Sequence, residues 1–211
     1  REPIDPVRFI GNRSSGRMGF AIAAEAARRG AAVTLVAGPV SLPTPREVRR
    51  VDVETAEEMR GAVLEAARGA HLIVMAAAVA DFRPREVAAA KIKKSGATPP
   101  PIALEPTVDI LTELAAAAPA ALRVGFAAET GDLASEARAK LERKGADLIV
   151  ANDVGAPGIG FGSADNEVTV FRRDGEPVCV SRRPKEEVAK ALLDLATQEL
   201  AARAAAPTAR C

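Results

Sequence analysis

The residues from Arg8 to Gly19, Arg-Phe-Ile-Gly-Asn-Arg-Ser-Ser-Gly-Arg-Met-Gly, decide how the rest of the sequence is interpreted. They precede an apolar, alanine-rich segment at residues 20–27 that is typical of a helix. Ser14, Ser15 and Gly16 suit the turn before that helix, because serine hydroxyls accept from free N–H groups and glycine permits close approach. Free N–H groups and the helix dipole both favour an anion, so the stretch predicts a phosphate site.

The same turn also has a purely structural interpretation. A Ser-Ser-Gly turn is often only a helix cap, and Gly19 is equally explained by close packing of a helix on a sheet. The spacing of Gly11, Gly16 and Gly19 does not match the Gly-x-Gly-x-x-Gly fingerprint of dinucleotide-binding folds. Asn12 adds a side chain that donates and accepts, and fixed positive charge comes from Arg8, Arg13 and Arg17.

Length and composition favour one large α/β domain. A chain of 211 residues buries a sizeable core, and its net charge of +1 gives no general reason to expect a nucleic acid or membrane partner. No apolar run approaches the roughly 20 residues that span a bilayer, and no signal peptide is evident. Two cysteines and one histidine are too few for a zinc cluster or a disulfide framework, so we expect a cytoplasmic protein.

Strand-like and helix-like segments alternate along the chain. Short apolar runs typical of buried strands occupy residues 32–37, 47–53, 71–77, 123–129 and 147–151. Helical patterns occupy residues 16–29, 55–68, 108–117, 133–144 and 184–205, and Thr55 is a candidate cap of the second of these helices. Residues 1–15 are predicted to be mostly loop. Segments 167–171 and 177–181 flank Asp174-Gly175, a strong hairpin signal. The pattern predicts a Rossmann-like, doubly wound, mostly parallel sheet with helices on both faces and a C-terminal β-hairpin.

Small residues follow the strand that ends near residue 77. The run 76–83, Ala-Ala-Ala-Val-Ala-Asp-Phe-Arg, lets a flat group lie against the backbone at the sheet edge where open α/β folds bind ligands. Asp81 has two interpretations. In the functional interpretation it binds a ribose hydroxyl or a metal. In the structural interpretation it caps a helix or pairs with Arg83, and the sequence by itself favours the structural interpretation.

Lysines occur at two further places of interest. The compact run Lys91, Lys93 and Lys94 suits a cover over polyphosphate, although a solvated charged edge is commoner for such runs. Lys140 and Lys144 lie one turn apart on a predicted helix, and taken alone they indicate a solvated face.

Six motifs in order give the sequence a specific resemblance. They are Arg-Glu-Pro-Ile-Asp-Pro-Val-Arg-Phe-Ile (1–10), Asn-x-Ser-Ser-Gly (12–16), Ala-Ala-Val-Ala-Asp-Phe (77–82), Lys-Ile-Lys-Lys (91–94), Gly-Phe-Ala-Ala-Glu-Thr (125–130) and Ala-Asn-Asp-Val (151–154). Each motif is weak alone, but together they resemble phosphopantothenate–cysteine ligase of the bacterial CoaB type. The match runs from residue 1 to about residue 166, and the hairpin and last helix also fit.

The resemblance implies a CTP-dependent ligase of coenzyme A biosynthesis. In that family the carboxylate of 4′-phosphopantothenate attacks the α-phosphorus of CTP, pyrophosphate leaves, and an acyl-cytidylate forms. The amine of L-cysteine then displaces CMP and gives phosphopantothenoylcysteine, and the reaction needs Mg²⁺. Cations and helix N–H groups must offset the negative charges brought together. The absence of a conspicuous Ser-His-Asp or Cys-His set agrees with this chemistry, which uses no protein nucleophile.

The resemblance also implies roles for individual residues. Asn12 matches the asparagine that holds the acyl-cytidylate, Arg8 matches an arginine of the same site, and Lys91 matches the lysine that closes over the nucleotide phosphates. Ala77 is implied to lie in the nucleotide pocket, where a larger side chain would crowd the ligand, and Asp81 near ribose or metal. The other implied nucleotide-binding residues are Ser14, Ser15, Gly16, Phe126, Lys140 and Lys144.

The sequence departs from the family pattern in places. The Gly-Gly-Thr that usually precedes Arg-Glu-Pro is absent, Arg13 replaces a histidine of some members, and residues 105–109 differ from a more usual Asn-Pro-Asp pattern. We expect residues 1–211 to be one ligase domain cut from a longer chain, with FMN confined to a preceding decarboxylase domain. The family also implies a homodimer with both subunits near each site, and we expect the hairpin at 167–181 at the contact.

Two other functions stay open on the sequence. An NAD(P)-dependent reductase fits the fold class, but the glycine spacing is wrong and the chain lacks the tyrosine of the short-chain type. A non-catalytic nucleotide-binding module would keep residues 14–16 but has no use for Asn12 together with Lys91.

Overall fold

The computed structural model describes residues 1–93, 101–129, 133–153 and 163–205. The elements follow one another in the order β1 (Glu2–Pro3), β2 (Phe9–Ile10), α1 (Arg17–Arg28), β3 (Val33–Ala37), β4 (Val48–Asp52), α2 (Ala56–Ala66), β5 (Leu72–Met75), β6 (Phe82–Pro84), β7 (Leu104–Pro106), α3 (Ile110–Ala117), β8 (Leu122–Glu129), α4 (Leu133–Lys144), β9 (Leu148–Asp153), β10 (Asp165–Arg172), β11 (Val178–Pro184) and α5 (Lys185–Ala205). None of the helices in these ranges combines the length and apolar character needed to cross a membrane.

A five-stranded sheet forms the centre of the molecule, in the order β11-β10-β9-β8-β5. Strands β5, β8 and β9 run parallel, and the hairpin β10–β11 extends them in antiparallel fashion. Strands β3 and β4 pair in parallel as a separate sheet. The predicted α/β fold, with parallel strands between helices and a C-terminal hairpin, is confirmed.

Alternating side chains of the central strands fill two apolar layers. Leu148 and Val150 of β9 pack in the layer under α1 and α5, where Ile22 and Leu192 also lie. Ile149 of β9 packs on the other face, in the layer that α3 and α4 cover. Both faces of a parallel strand are therefore buried, which explains why its sequence is continuously apolar.

Helix starts follow local capping chemistry. Thr55, the predicted cap of α2, accepts a hydrogen bond from the Glu58 N–H at 3.2 Å, so this prediction is confirmed. Helix α3 begins at Ile110 and not at residue 108, because the Asp109 carboxylate accepts from the Thr112 N–H at 3.2 Å and fixes the first turn there.

Two short antiparallel ribbons are not predicted by the sequence. Residues 1–15 were expected to be mostly loop, yet β1 pairs with β2 within them, and β6 pairs with β7 farther along the chain. Strands of two or three residues are too short to show an alternating apolar pattern, so periodicity does not reveal them.

A buried ion pair organises the amino edge of the parallel strands. Arg123 and Asp147 are 8% and 9% exposed, and the Asp147 carboxylate accepts from the Arg123 N–H at 2.7 Å. The Arg123 guanidinium donates to carbonyls just beyond the ends of α3 and α4, among them those of Ala118 and Gly145. Arg203 of α5 adds a second ion pair to Asp147 at 2.6 Å. This edge is therefore occupied by satisfied polar groups.

Replacing Arg123 by methionine should lower the free energy of unfolding by about 3–5 kcal/mol, because Asp147 and several buried carbonyls lose a partner. Urea denaturation measures the loss. The control is Arg46→Met, whose ion pair with Glu47 joins side chains that are 94% and 71% exposed, and it should change stability by less than about 0.5 kcal/mol. Similar losses in both variants would contradict a structural role for the buried pair.

Candidate active-site cleft

A cleft of about 730 Å³ lies at the carboxyl edge of β5, β8 and β9. Parallel strands present their carboxyl ends at one edge, so the segments that follow them converge there. The predicted residues in its lining are Asn12, Ser14, Ser15, Gly16, Ala77, Asp81, Phe126, Lys140 and Lys144. Two further predicted residues, Arg8 and Lys91, do not line it.

The turn before α1 opens the amino end of that helix towards the cleft. Gly16 has φ of 73°, and a Cβ atom there would lie 3.0 Å from Val40 Cγ1, so glycine is required. The Ser14 hydroxyl accepts from the Gly16 N–H at 3.3 Å, which closes the turn but does not cap the helix. Within the described ranges no side chain caps α1 and no acid lies in its first turn. The free N–H groups are those that favour an anion.

Hydrogen bonds fix the wall that follows β5. Asn12 Nδ2 donates to the Val79 carbonyl at 2.9 Å and joins the first loop to this wall. Thr107 donates its N–H to the Asp81 carbonyl at 2.9 Å and its hydroxyl to the Ala80 carbonyl. Ala77 is exposed in this wall, so a flat group has room against the backbone.

Opposite charges meet where α3 and α4 border the cleft. Lys144 forms an ion pair with Asp109, the N-terminal cap of α3. Burial acts to raise the pKa of Asp109, but the Lys144 ammonium and hydrogen bonds from Thr112 outweigh it and leave that pKa below its ordinary value. Asp109 therefore stays ionised at neutral pH and offsets part of the Lys144 charge. Lys140 lies one turn earlier on α4 and is half-buried.

Two buried polar residues of the cleft were missed in the sequence. Lys185 is 6% exposed and donates its ammonium to the carbonyls of Ser163 and Asp165 at 2.5 and 3.0 Å. Burial lowers its pKa, and the nearby charge of Arg17 acts in the same direction. Asn166 is 5% exposed, and its Oδ1 has no hydrogen-bond partner among the described residues. The only sequence signal was their place at the ends of the hairpin strands.

The described part of the chain contains no group of three or more His, Cys, Asp or Glu side chains that could hold a metal ion. Asp81 is exposed in the cleft, whereas Asp109 is engaged by Lys144. Mg²⁺ commonly binds one or two carboxylates together with substrate phosphates and water. Asp81 fits that kind of site, in which the nucleotide supplies most ligands.

Residues 1–200 match the family of the DNA/pantothenate metabolism flavoprotein C-terminal domain. This chain belongs to that family. It is 50% identical over 197 residues to the coenzyme A biosynthesis bifunctional protein CoaBC of Escherichia coli strain K12, which covers 92% of this chain and 48% of the relative. The CoaBC protein of Bacillus subtilis is 48% identical over 178 residues, or 83% and 43% of the two chains. The chain thus spans about half the length of the curated relatives it matches.

Solved structures share this fold. The crystal structure of the C-terminal domain of CoaBC has a TM-score of 0.80 and 41% identity, covering 95% of this chain and 90% of that one. A mutant of Cab2, in complex with phosphopantothenate-cysteine, has a TM-score of 0.75 and 17% identity, covering 96% and 85%. At that identity the Cab2 likeness shows the fold alone. The resemblance predicted from the six motifs is confirmed by the CoaBC relatives.

Some family motifs extend beyond the cleft or beyond the described residues. Lys91 is exposed, and Arg8 forms an ion pair with Asp5 at 2.6 Å. Lys94, Thr130 and Val154, which belong to the quoted motifs, lie outside the described residues. The site roles of Arg8 and Lys91 therefore stay predictions.

Replacing Gly16 by alanine should weaken binding of a nucleoside triphosphate about tenfold or more, because the turn must shift to relieve Val40 and the left-handed backbone. Calorimetric titration measures the affinity. The matched control is Gly61→Ala inside α2, where an added Cβ meets nothing within 4 Å. That variant should bind normally and gain about 0.5–1 kcal/mol of stability. Equal affinity in both variants would show that the turn at Gly16 does not take part in nucleotide binding.

Proposed function

We propose that this chain joins 4′-phosphopantothenate to L-cysteine at the expense of CTP, through an acyl-cytidylate, in coenzyme A biosynthesis. The observation that carries the proposal is one cleft in which Asn12 and the uncapped amino end of α1 face the same space. Family membership supports it, because the CoaBC relatives are named for coenzyme A biosynthesis. Phosphopantothenate-cysteine, the compound in the Cab2 complex, corresponds to the amide product that the proposed reaction would form.

Positive charge in the cleft suits a reaction that brings a carboxylate to a triphosphate. The amino end of α1 with Arg17 lines the space, and so do Lys140 of α4 and Lys185 of α5. Such groups lower the repulsion between the attacking carboxylate and the phosphates, and they stabilise the charge that moves onto departing pyrophosphate. The main task of these residues is to bind and orient, since the nucleotide itself supplies the activation.

Asn12 is suited to the second step. Its Nδ2 is held by the Val79 carbonyl, so Oδ1 is the atom left to accept a hydrogen bond from the substrate. We assign that bond to the amine of cysteine as it attacks the activated carbonyl. An acceptor in this place orients the nitrogen lone pair towards the acyl carbon.

Mg²⁺ would bind at the Asp81 carboxylate together with nucleotide phosphates, and it would supply charge neutralisation there. The name of the family refers to a flavoprotein. We place the flavin chemistry in the part of the longer relatives that this chain does not match, so FMN has no role here.

Pyrophosphate release tests the proposal. With Mg²⁺, phosphopantothenate and CTP, the purified protein should release pyrophosphate, and ATP in place of CTP should give a much slower reaction. The amide product should form only when cysteine is added. Binding of CTP without pyrophosphate release under these conditions would overturn the ligase and favour a non-catalytic nucleotide-binding module.

The Asn12→Asp variant separates the two steps in the same assay. It should still release pyrophosphate in a single turnover, because the activation step does not use the amide. It should transfer the acyl group slowly and accumulate acyl-cytidylate, because a carboxylate cannot donate to the Val79 carbonyl and is not held in the position of the Asn12 side chain. Mass spectrometry of the quenched reaction detects that intermediate. Amide formation at the normal rate would remove Asn12 from the second step.

We also propose that the chain forms a homodimer through an exposed apolar patch. In the described ranges, large apolar side chains that are 44–60% exposed gather on β2, the β6–β7 ribbon and the adjoining loops: Val7, Phe9, Phe82, Val87, Ile102 and Leu104. The Ala88 N–H donates to the Ile4 carbonyl at 3.0 Å and joins these segments. Large apolar residues of the hairpin, such as Val170 and Phe171, are buried within the chain instead. Exposed apolar patches mark contact surfaces, so this patch replaces the hairpin as the proposed contact.

Light scattering should give twice the chain mass of 21.9 kDa at micromolar concentration. Phe82→Glu should convert the protein to monomers by placing a charge in the patch. Cys179→Glu, on an exposed position of the hairpin, should leave the dimer intact. The reverse pattern would restore the hairpin as the contact, and a monomeric wild type would exclude the dimer.

A further inference from the structure

A buried carboxylate outside the cleft contacts the basic run. Asp5 is 2% exposed, and its Oδ1 accepts from the Val7 and Arg8 N–H groups at 2.8 and 2.9 Å. Its Oδ2 accepts from the Ile92 N–H at 3.2 Å, across a sequence separation of 87 residues. One carboxylate therefore closes its own turn and reaches the segment that carries Lys91.

Arg8 adds a second hydrogen bond to the same residue, Ile92. Its guanidinium pairs with Asp5 Oδ2 at 2.6 Å and donates to the Ile92 carbonyl at 2.6 Å. Both backbone groups of Ile92 are thus engaged, one by an anion and one by a cation. We call this arrangement the Asp5–Arg8 clamp.

Hydrogen bonds of the β1–β2 ribbon hold the Asp5–Arg8 clamp in place. The Ile4 N–H donates to the Arg8 carbonyl at 2.8 Å, and β1 pairs with β2 around this turn. Glu2 is 4% exposed, and its carboxylate accepts from the Ala56 N–H at 2.8 Å, at the start of α2. Ile92 is therefore tied through the first ribbon to the body of the domain.

We propose that Asp5 is a positioning residue, which acts with Arg8 to hold Ile92 and thereby fixes where Lys91 stands relative to the cleft. Adjacent Cα atoms are about 3.8 Å apart, so holding Ile92 restricts the point from which the Lys91 side chain extends. The proposal rests on the proposed function, since it assumes that Lys91 serves the nucleotide phosphates. It gives Arg8 a role through the Ile92 backbone.

The clamp keeps its charge at every pH at which the enzyme would work. Burial acts to raise the pKa of Asp5, but hydrogen bonds from Val7, Ile92 and Arg8 outweigh it and lower the pKa from 3.8 to about 2. The stabilisation from the ionised carboxylate is present above the unfolded value and is lost only as the pH falls through about 2. The position of Lys91 should therefore not titrate near neutral pH.

The Asp5→Asn variant breaks the clamp selectively. Its amide oxygen can still accept from the Val7 and Arg8 N–H groups, whereas the NH₂ group faces two donors, the Ile92 N–H and the Arg8 guanidinium. The matched control is Glu2→Gln, a second buried acid of the same ribbon, whose amide oxygen still accepts from Ala56 and which does not contact Ile92. Thermal unfolding of both variants monitors the fold.

Trypsin tests the clamp without reference to activity. Cleavage of the Lys91–Ile92 bond, followed by mass spectrometry, should be at least about fivefold faster in Asp5→Asn than in wild type or Glu2→Gln. Equal rates in the three proteins would overturn the clamp, even if the ligase activity were established.

Coupling to Lys91 tests the functional consequence. Asp5→Asn should slow pyrophosphate release about tenfold in the wild-type background but less than about twofold in a Lys91→Gln background. Both changes remove the same contribution, that of a correctly placed Lys91 ammonium, so the second change has little left to remove. CTP affinity gives the same comparison if release is not detectable. Equal effects in the two backgrounds would show that Asp5 does not act through Lys91 and would overturn the proposal. Faster cleavage with no release from any protein would instead count against the proposed function.

Discussion

The Arg123 guanidinium supports the whole arrangement from the edge opposite the cleft. It donates to carbonyls beyond the ends of α3 and α4 and pairs with Asp147, which also receives Arg203 of α5. Helix ends leave carbonyl groups unpaired, and a buried cation satisfies them while opposing the negative end of the helix dipole. The covering helices are thus fixed at the amino edge of the sheet, and the carboxyl edge is free to hold a ligand.

At the carboxyl edge of the sheet, by contrast, backbone groups are left without protein partners among the described residues. The first turn of α1 keeps its N–H groups uncapped, and Gly16 holds a backbone conformation that other residues rarely adopt. Leaving such groups unpaired costs free energy in the empty protein, and an anionic ligand recovers it. The amino edge of the sheet therefore serves stability and the carboxyl edge serves ligand binding, and a change at one edge need not disturb the other.

The fold was largely predictable because its long elements obey simple periodicities. The strands around residues 72–75 and 148–153 and the cap at Thr55 were found from pattern alone. The cleft residues came mainly from motif resemblance, since Asp81 and Lys144 look like ordinary charged residues by themselves. Lys185 and Asn166 were missed because their place in the cleft depends on how the hairpin strands pair with the sheet, which no local pattern encodes. The Asp5–Ile92 bond was missed for the same reason, since it joins distant segments.

The cleft draws on both ends of the chain, and this has a consequence for synthesis. Ser14 and Gly16 belong to the first loop, whereas Lys185 is the first residue of the last helix, and α5 packs on α1 through Val188 and Ile22. A ribosome therefore releases the early wall of the cleft long before the helix that completes it. The nascent chain must hold α1 with an uncovered apolar face until α5 emerges, and apolar surface exposed in that interval favours aggregation and chaperone binding.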